Sequence, residues 1–421
     1  MEKKIAIAII GAGASGMTAA IAAARNGAEV TLFEKNDRVG KKILSTGNGK
    51  CNLTNLEFDL EQYFCEDKVK LQKQFDSFSV WETISFFESL GLMVKSKNGY
   101  VYPYSEQASS VLDILRMELK QCRVKVITDT EITEAVCLER NKKFQIKDKE
   151  GKTYCFNRLI LSCGSPASLK KGDGTVGYEI AKGFGHRIRP VVPGLVQLKS
   201  NERFLKALAG VRCHADVKLM LDGKETVCES GELQFTEYGI SGIPVFQLSR
   251  IAAYALKKKQ LVTVHINFFP EQDEKVFFYT NRLRYESQLE KTLEEFLTGT
   301  QNKKINMVMI KQAGFRPEMK VKDTGWKKIW TMMQKYQCFI IPISDINTME
   351  KAQVCAGGVD YTQLSVSLQS KLVKGLYFTG EMLDVDGKCG GYNLQWAWTS
   401  GYIAGRNAAK MDKREIKDAE N

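Results

Sequence analysis

The sequence predicts an α/β fold: a doubly wound, nucleotide-binding domain interrupted by a β-rich segment that carries helices of its own. Three observations predict it. A strand, a glycine turn and an Ala-rich helix open the chain, from Ile5-Ala-Ile-Ala-Ile-Ile10 through Gly11-Ala12-Gly13-Ala14-Ser15-Gly16. Alternating strand and helix patterns continue to about residue 190, and short strands dominate from about 191 to 350. Residues 351–421 return to the first style, with a strand at Gly375-Leu-Tyr-Phe-Thr379, a glycine-rich loop and a helix from Asn393 to about Lys410.

The opening unit carries chemistry. Its apolar run reads as a buried parallel strand. Gly11 permits a tight turn, Gly13 lets the backbone approach a pyrophosphate, and Gly16 lets helix and strand pack closely. The helix that starts inside the turn points its positive end at the phosphates. A second strand, Glu29-Val-Thr-Leu-Phe33, ends at Glu34, 18 residues after Gly16. A carboxylate there accepts hydrogen bonds from a ribose, so the chain is expected to bind a dinucleotide.

A long Gly- and Lys-rich connection follows, from Val39 to Asn52. Residues 61–92 read as helices with Trp81, Ile84, Phe86, Phe87 and Leu90 on an apolar face, and Ser109–Gln121 as another amphipathic helix. Strands are predicted at Arg123–Thr128 and Ile132–Leu138, a hairpin at Phe144–Ile146 and Thr153–Phe156, and a buried strand at Arg158–Ser162. Pro190 and Pro193 punctuate the end of this part. Strands at Gly194–Leu198, His214–Leu221, Glu225–Glu229 and Leu261–Phe269 come next, then charged helices at about 271–298, 302–312 and 325–335. The expected domains are 1–190, an insertion at 191–350 with helices at about 270–335, and 351–421.

The segment Gly380-Glu381-Met-Leu-Asp384-Val-Asp386-Gly387-Lys-Cys-Gly390-Gly391-Tyr392-Asn393-Leu394-Gln395 is the second site. A strand ending in Thr-Gly and a glycine pair opening a helix present backbone N–H groups and a positive helix end to an anion. The charge that develops near N1 and O2 of a reduced flavin is such an anion.

Composition bounds the rest. The 421 residues are 43% hydrophobic and 26% charged, which is ordinary for a globular chain long enough for two or three domains. The glycine turn begins at residue 11 and no apolar stretch approaches the roughly 18 residues that span a bilayer, so a cytoplasmic protein without a membrane partner is expected. Eleven cysteines without CxxC spacing argue against a disulfide framework, a metal site and a paired redox disulfide. The net charge of +12 invites RNA, but much of it lies in scattered runs such as Lys3-Lys4, Lys41-Lys42, Lys170-Lys171 and Lys257–Lys259 that also solubilise helix faces.

Together these segments resemble, nearly end to end, the BaiN-like or aminoacetone-oxidase-like NAD(P)/FAD-dependent oxidoreductases. The resemblance rests on the turn at 11–16, Ser45-Thr-Gly-Asn-Gly-Lys-Cys-Asn-Leu-Thr-Asn55, Gly172-Asp173-Gly174, Gly231–Gly242, Ala356–Val359 and the 380–394 block. It implies a split Rossmann-like FAD-binding domain with an inserted β-barrel-like domain and a helical sub-insertion. It also implies FAD as cofactor, with NADH or NADPH as a transient donor. Ala14 and Ser15 would then meet the pyrophosphate and Glu34 the adenosine ribose. Lys41, Lys42, Thr46, Gly47, Asn48, Gly49, Lys50, Cys51 and Asn52 would wrap the cofactor, and Ile132 would meet the adenine through its backbone. Gly380, Glu381, Asp386, Gly391, Asn393 and Leu394 would hold the ribityl chain and the flavin's pyrimidine edge. The family's Phe-Thr-His segment reads Phe235-Thr236-Glu237 here, and His186, His214 and His265 form no recognisable dyad, so no catalytic acid or base is assigned. Cys51 is weighed as a redox thiol against a packing residue, and Tyr238 and Tyr392 as proton donors against packing surfaces. The activity implied is NAD(P)H-driven reduction of a C=C bond conjugated to a carbonyl, with 3-oxo-Δ4/Δ6 steroid-like bile-acid intermediates as candidate substrates. The alternatives are an rRNA dihydrouridine synthase and an aminoacetone-type amine oxidase using oxygen.

Overall fold

The computed structural model describes residues 4–138, 143–170 and 172–411; Lys3 and Lys171 of the lysine pairs lie outside the described residues. The chain forms two compact units, Met1–Val191 with Val354–Asn421, and Val192–Gln353.

The first unit is built on β1 (Ala6–Ile10), α1 (Ala14–Arg25), β2 (Glu29–Phe33), β3 (Lys125–Ile127), β4 (Arg158–Leu161), β5 (Leu376–Phe378) and α2 (Tyr392–Ala408). Its strands run parallel in the order β5-β4-β1-β2-β3. The central strand β1 is covered on both faces, which is why Ile7, Ala8 and Ile9 are fully buried and why its sequence shows no polar alternation. Small residues let α1 and α2 meet backbone to backbone. A Cβ on Gly401 would lie 2.4 Å from the Ser15 carbonyl oxygen, and one on Gly405 2.2 Å from that of Ala19.

Local expectations needed correction at several points. Residues 61–92 are α-helical only over Lys68–Ser77 and Val80–Ser89; Ser79 caps the latter with a reciprocal Glu82 capping box. Trp81 follows that cap and is 67% exposed, so it leaves the apolar face that Phe86 and Phe87 form. Pro190 and Pro193 flank the division between the two units at Val191–Val192, and both sit within the strand Ile188–Gly194, which has a single partner strand and so tolerates missing donors. The strand expected at 194–198 shrinks to Leu198–Lys199, beyond Leu195 in left-handed backbone (φ 49°).

The second unit is a seven-stranded antiparallel sheet in the order Phe339–Pro342, Val262–Asn267, Arg212–Leu221, Lys224–Thr236, Gly239–Gly242, Leu198–Lys199, Asp345–Ile346. Its two ends are halves of one segment. Between them Ile343 donates to Val262 O and Ser344 to Lys199 O, both at 2.9 Å, so the sheet closes on itself as a barrel. Helices Glu274–Ser287, Leu293–Leu297, Lys303–Gln312 and Trp326–Gln337 are inserted before the closing segment. The single helix expected at 271–298 is thus two, divided before Thr292, whose side chain caps the second. The helix Ile243–Lys257, buried along Val245, Leu248, Ala252 and Ala255, was not anticipated.

Candidate functional site

The glycine turn joins β1 to α1, and its three glycines have three different surroundings. A Cβ on Gly11 (φ 99°) would lie 2.4 Å from Ser162 O, and one on Gly16 1.9 Å from Gly11 O, so the fold itself requires both. Gly13 has ordinary extended backbone, φ −79° and ψ −167°, and a Cβ there would meet nothing within 4 Å. Nothing in the protein calls for glycine at 13. The empty space beside it faces the start of α1, where Gly13 is the N-cap and no side chain caps the first-turn N–H groups.

Glu34 is buried at the end of β2. It accepts the Ala12 N–H at 3.0 Å and the Asn36 N–H at 3.0 Å, which ties the acid to the glycine turn, and a carboxylate retains acceptor sites for hydroxyls beyond these. The Glu34 carbonyl also accepts from Thr130 N at 2.9 Å, bringing the segment that leads to buried Ile132 beside it.

The 46–52 loop is held by backbone bonds from Lys50 N to Gly47 O and Cys51 N to Thr46 O, both 3.1 Å. Gly47, Asn48, Gly49 and Cys51 all adopt positive φ, a conformation costly for Asn48 and Cys51 and typical of ligand clamps. The buried Asn52 Oδ1 has no hydrogen-bond partner. Burial pushes the Cys51 thiol up to about 11, against a hydrogen bond with Thr46, so it stays protonated and packs rather than reacts. Lys41 and Lys50 are directed to acids, Asp37 at 2.5 Å and Glu106 at 2.6 Å.

Lys42 reaches across to Glu381 at 2.6 Å, and Ser165 Oγ and the Cys355 N–H also donate to that carboxylate, at 2.7 and 2.9 Å. Gly380 (φ 69°) lies against Ser15, whose Oγ would be 2.5 Å from a Cβ at 380. The 380–394 block therefore begins at the glycine turn. It then runs past buried Asp386 to a clasp in which Asn393 donates to Gly387 O at 2.7 Å and accepts the Gly387 N–H at 2.9 Å. Gly391 (φ 96°) caps α2 without a side chain, and a Cβ there would strike the Thr54 backbone at 2.7 Å. Asn55 donates to Gly390 O, Trp398 to Leu53 O, and Thr54 to Gln395 Oε1, so the 45–55 and 386–398 segments are locked together. Leu394 is partly buried behind the helix start. From Gly401, against Ser15, back to Tyr392 is nine residues of helix, roughly 14 Å.

Two uncapped helix starts about that far apart, open space at Gly13, an orphaned Asn52 oxygen and a hydroxyl-accepting Glu34 fit an extended dinucleotide with a flavin at the α2 end. Tyr392 is not a proton donor: its hydroxyl is committed to Glu57 O, and burial pushes it up to about 12. In the second unit, Tyr238 is 43% exposed on the turn after Thr236, whose buried hydroxyl has no partner. Cys338 Sγ lies 3.6 Å from His265 Nδ1, a pairing not read from the sequence, but burial raises that thiol too. The Gly401–Gly405 contact was also missed, although its Gly-Tyr-Ile-Ala-Gly spacing is visible. Among the described residues, no three His, Cys, Asp or Glu side chains converge as metal ligands, and no helix is long and apolar enough to cross a membrane.

Over 414 residues the chain is 43% identical to the 3-dehydro-bile acid Δ(4,6)-reductase of Clostridium scindens, covering 96% of this chain and 99% of that protein. It is 28% identical over 408 residues to the ribosomal RNA dihydrouridine synthase of Haemophilus influenzae, covering 96% and 98%. The solved 3-ketosteroid-Δ4-(5α)-dehydrogenase of Rhodococcus jostii RHA1, in complex with 4-androstene-3,17-dione, shares the fold at TM-score 0.52 over 97% of each chain, with 15% identity. The family model described as the HI0933-like protein Rossmann domain matches residues 5–407. The chain belongs to this HI0933-like Rossmann family, the flavin-dependent oxidoreductases whose signature segments it carries from the glycine turn to Leu394.

Proposed function

We propose that the chain is an FAD-dependent reductase that adds hydride to a C=C bond conjugated to a carbonyl, with NADH or NADPH as donor and 3-oxo-Δ4/Δ6 steroid-like acids as substrates. The single observation that carries this reading is the 43% identity to a bile-acid Δ(4,6)-reductase, sustained across both chains. Bound FAD supplies two-electron hydride chemistry. The protein's part is binding and electrostatics. The first-turn N–H groups of α1 and the space at Gly13 would take the pyrophosphate, with Ala14 and Ser15 nearest. Glu34 would accept ribose hydroxyls, and Ile132 would offer its backbone to the adenine. Asn52 would give its orphaned oxygen a donor. Gly380, Glu381, Asp386, Gly391, Asn393 and Leu394 would line the flavin end, where the positive start of α2 stabilises negative charge on the pyrimidine edge. Lys42 holds the Glu381 carboxylate in place through their ion pair. A cytoplasmic location suits eleven free cysteines, several of them exposed.

Electron flow tests the reading. NADH or NADPH should bleach the flavin anaerobically, and a 3-oxo-Δ4,6 steroid acid should restore the colour faster than oxygen. Reduction by aminoketones but by neither nicotinamide would instead indicate the amine oxidase and sink the proposal.

A second reading, reduction of uracil in rRNA, is favoured by charge as well as by the 28% relative. Residues 274–337 hold 13 Lys and Arg against 7 Asp and Glu, a net +6 of the chain's +12. Many-phosphate binding should fall steeply as salt rises, whereas a steroid acid should respond weakly. Tight, salt-sensitive and productive binding of rRNA fragments would establish the second reading over the first.

A further inference from the structure

Apart from the cofactor cradle, the first unit holds an open cavity of about 390 Å³. Three elements build it. Val126 of the edge strand β3 and Val124 and Thr128 on either side of that strand share one face by their spacing, and Val126 is 39% exposed there. Arg116, Leu119 and Lys120 share one face of the helix Ala108–Gln121, and Asp37, Arg38 and Val39 form the third wall. The valines and Leu119 make an apolar floor, and Arg38, Arg116 and Lys120 set three cations at the rim.

The rim carries more cations than acids. Its one lining acid, Asp37, is engaged by Lys41 at 2.5 Å, and that hydrogen bond holds its carboxyl below the usual range. Arg116 is oriented by donating Nη2 to the Val39 carbonyl at 3.3 Å, with Asp113 3.3 Å from Nη1. Among the described residues, the Arg38 and Lys120 side chains make no hydrogen bond or ion pair, although Arg38 is near enough to Asp37 to help hold its carboxyl down. A guanidinium presents a planar fork that matches a carboxylate. An apolar floor under a cationic rim therefore selects a ligand that is apolar along its body and anionic at one end.

We propose that this cavity is a second ligand site, for an amphiphilic monocarboxylate whose body lies on the valine floor and whose head meets Arg38, Arg116 and Lys120. An alkyl-chain acid and a carboxylated steroid share that chemistry. None of the lining residues belongs to the cofactor set, so the site stands whichever substrate the flavin reduces.

The test is isothermal titration of the full-length, FAD-loaded chain with dodecanoate and with cholate, and with neutral dodecyl maltoside as control. Either acid should bind at this site, the maltoside should not, and the acid that binds better identifies the source. The double variant Arg38→Glu/Lys120→Glu should weaken binding at least about tenfold, roughly the loss of one charge-assisted contact, with flavin content and melting unchanged. Val126→Asp, on an exposed strand position, should weaken it similarly by charging the floor. Binding of both acids that is unaltered in these variants, or binding of neither acid to the unaltered chain, overturns the proposal.

Discussion

Replacing Gly13 with valine separates folding from cofactor binding. The backbone at 13 is ordinary for any residue, and a Cβ meets nothing within 4 Å, so the protein has room for the side chain. Gly13 is also the N-cap of α1, where valine is poorer than glycine by about 1 kcal/mol at most, a small part of the roughly 5–15 kcal/mol that holds a domain together. The side chain would nevertheless project into the space where the pyrophosphate must approach the α1 N–H groups. Saturation of the unaltered chain at a hundredfold excess of FAD over its Kd adds about 2.7 kcal/mol of stability, and Gly13→Val should lose that whole increment. Gly16→Ala makes the contrast: its Cβ would sit 1.9 Å from Gly11 O, so that variant should fail to fold with or without FAD. Urea unfolding with and without FAD, together with the flavin content of gel-filtered protein, measures both effects. Stoichiometric FAD in Gly13→Val, or a valine variant as unfolded as Gly16→Ala, would refute the argument.

Glu381→Gln removes the charge that faces Lys42 while keeping the side chain's shape. It should lower stability by about 1–3 kcal/mol and weaken FAD retention, because one ammonium loses its counter-ion and the Ser165 and Cys355 donors lose an anionic acceptor; an unchanged denaturation midpoint and flavin content would count against it. Alkylation near pH 8 should label the exposed Cys155, Cys228 and Cys338 and spare Cys51 until the chain is unfolded, since burial holds the Cys51 thiol at about 11; early labelling of Cys51 would contradict the packing role. Burial pushes His186 below its ordinary 6.5, opposed by Gln363 and Asp360, so the folded chain favours the neutral ring. Its contribution is complete above pH 6.5 and is lost as pH falls from there through the folded value, because the unfolded chain binds the proton first. His186→Gln should flatten the fall in unfolding free energy between pH 7.5 and 5.5, and an identical slope in the variant would rule the histidine out.

What the sequence reveals depends on how local the cause is. The glycine turn was legible because its steric demands arise within a few residues, and Glu34 because it ends the next strand. Gly13, read as the residue that lets the backbone approach a pyrophosphate, has empty surroundings, whereas Gly11 and Gly16, read as serving the turn and the helix packing, are ones the fold cannot spare. Trp81 was placed on the wrong face because helical periodicity ignores the Ser79 cap that decides where the helix begins. Pro190 and Pro193 mark the end of the first part, but the strand that holds them is not legible, because a sequence does not say that it has a free edge. The barrel is expected from the family resemblance alone, because its closure depends on residues 339–346 bonding to both Val262 and Lys199, partners far apart in the chain.

The least legible feature is also the one that sets the scale of the cofactor site. The two helix starts that flank the cradle belong to α1 and α2, elements separated by most of the chain, and their spacing depends on how closely those helices cross. Gly401 and Gly405 present no side chain at the crossing, so the α2 backbone rests on the carbonyls of Ser15 and Ala19. The same contact keeps Ser15 beside Gly380, whose N–H is held by Ser400 Oγ at 2.9 Å one residue before the crossing. A larger residue at 401 would push α2 outward, pulling Gly380 from the pyrophosphate turn and the Gly391 end from the 45–55 loop in one movement. The small residues far from the cofactor's reactive end therefore hold the ruler against which the Gly13 space and the Asn393 clasp are aligned.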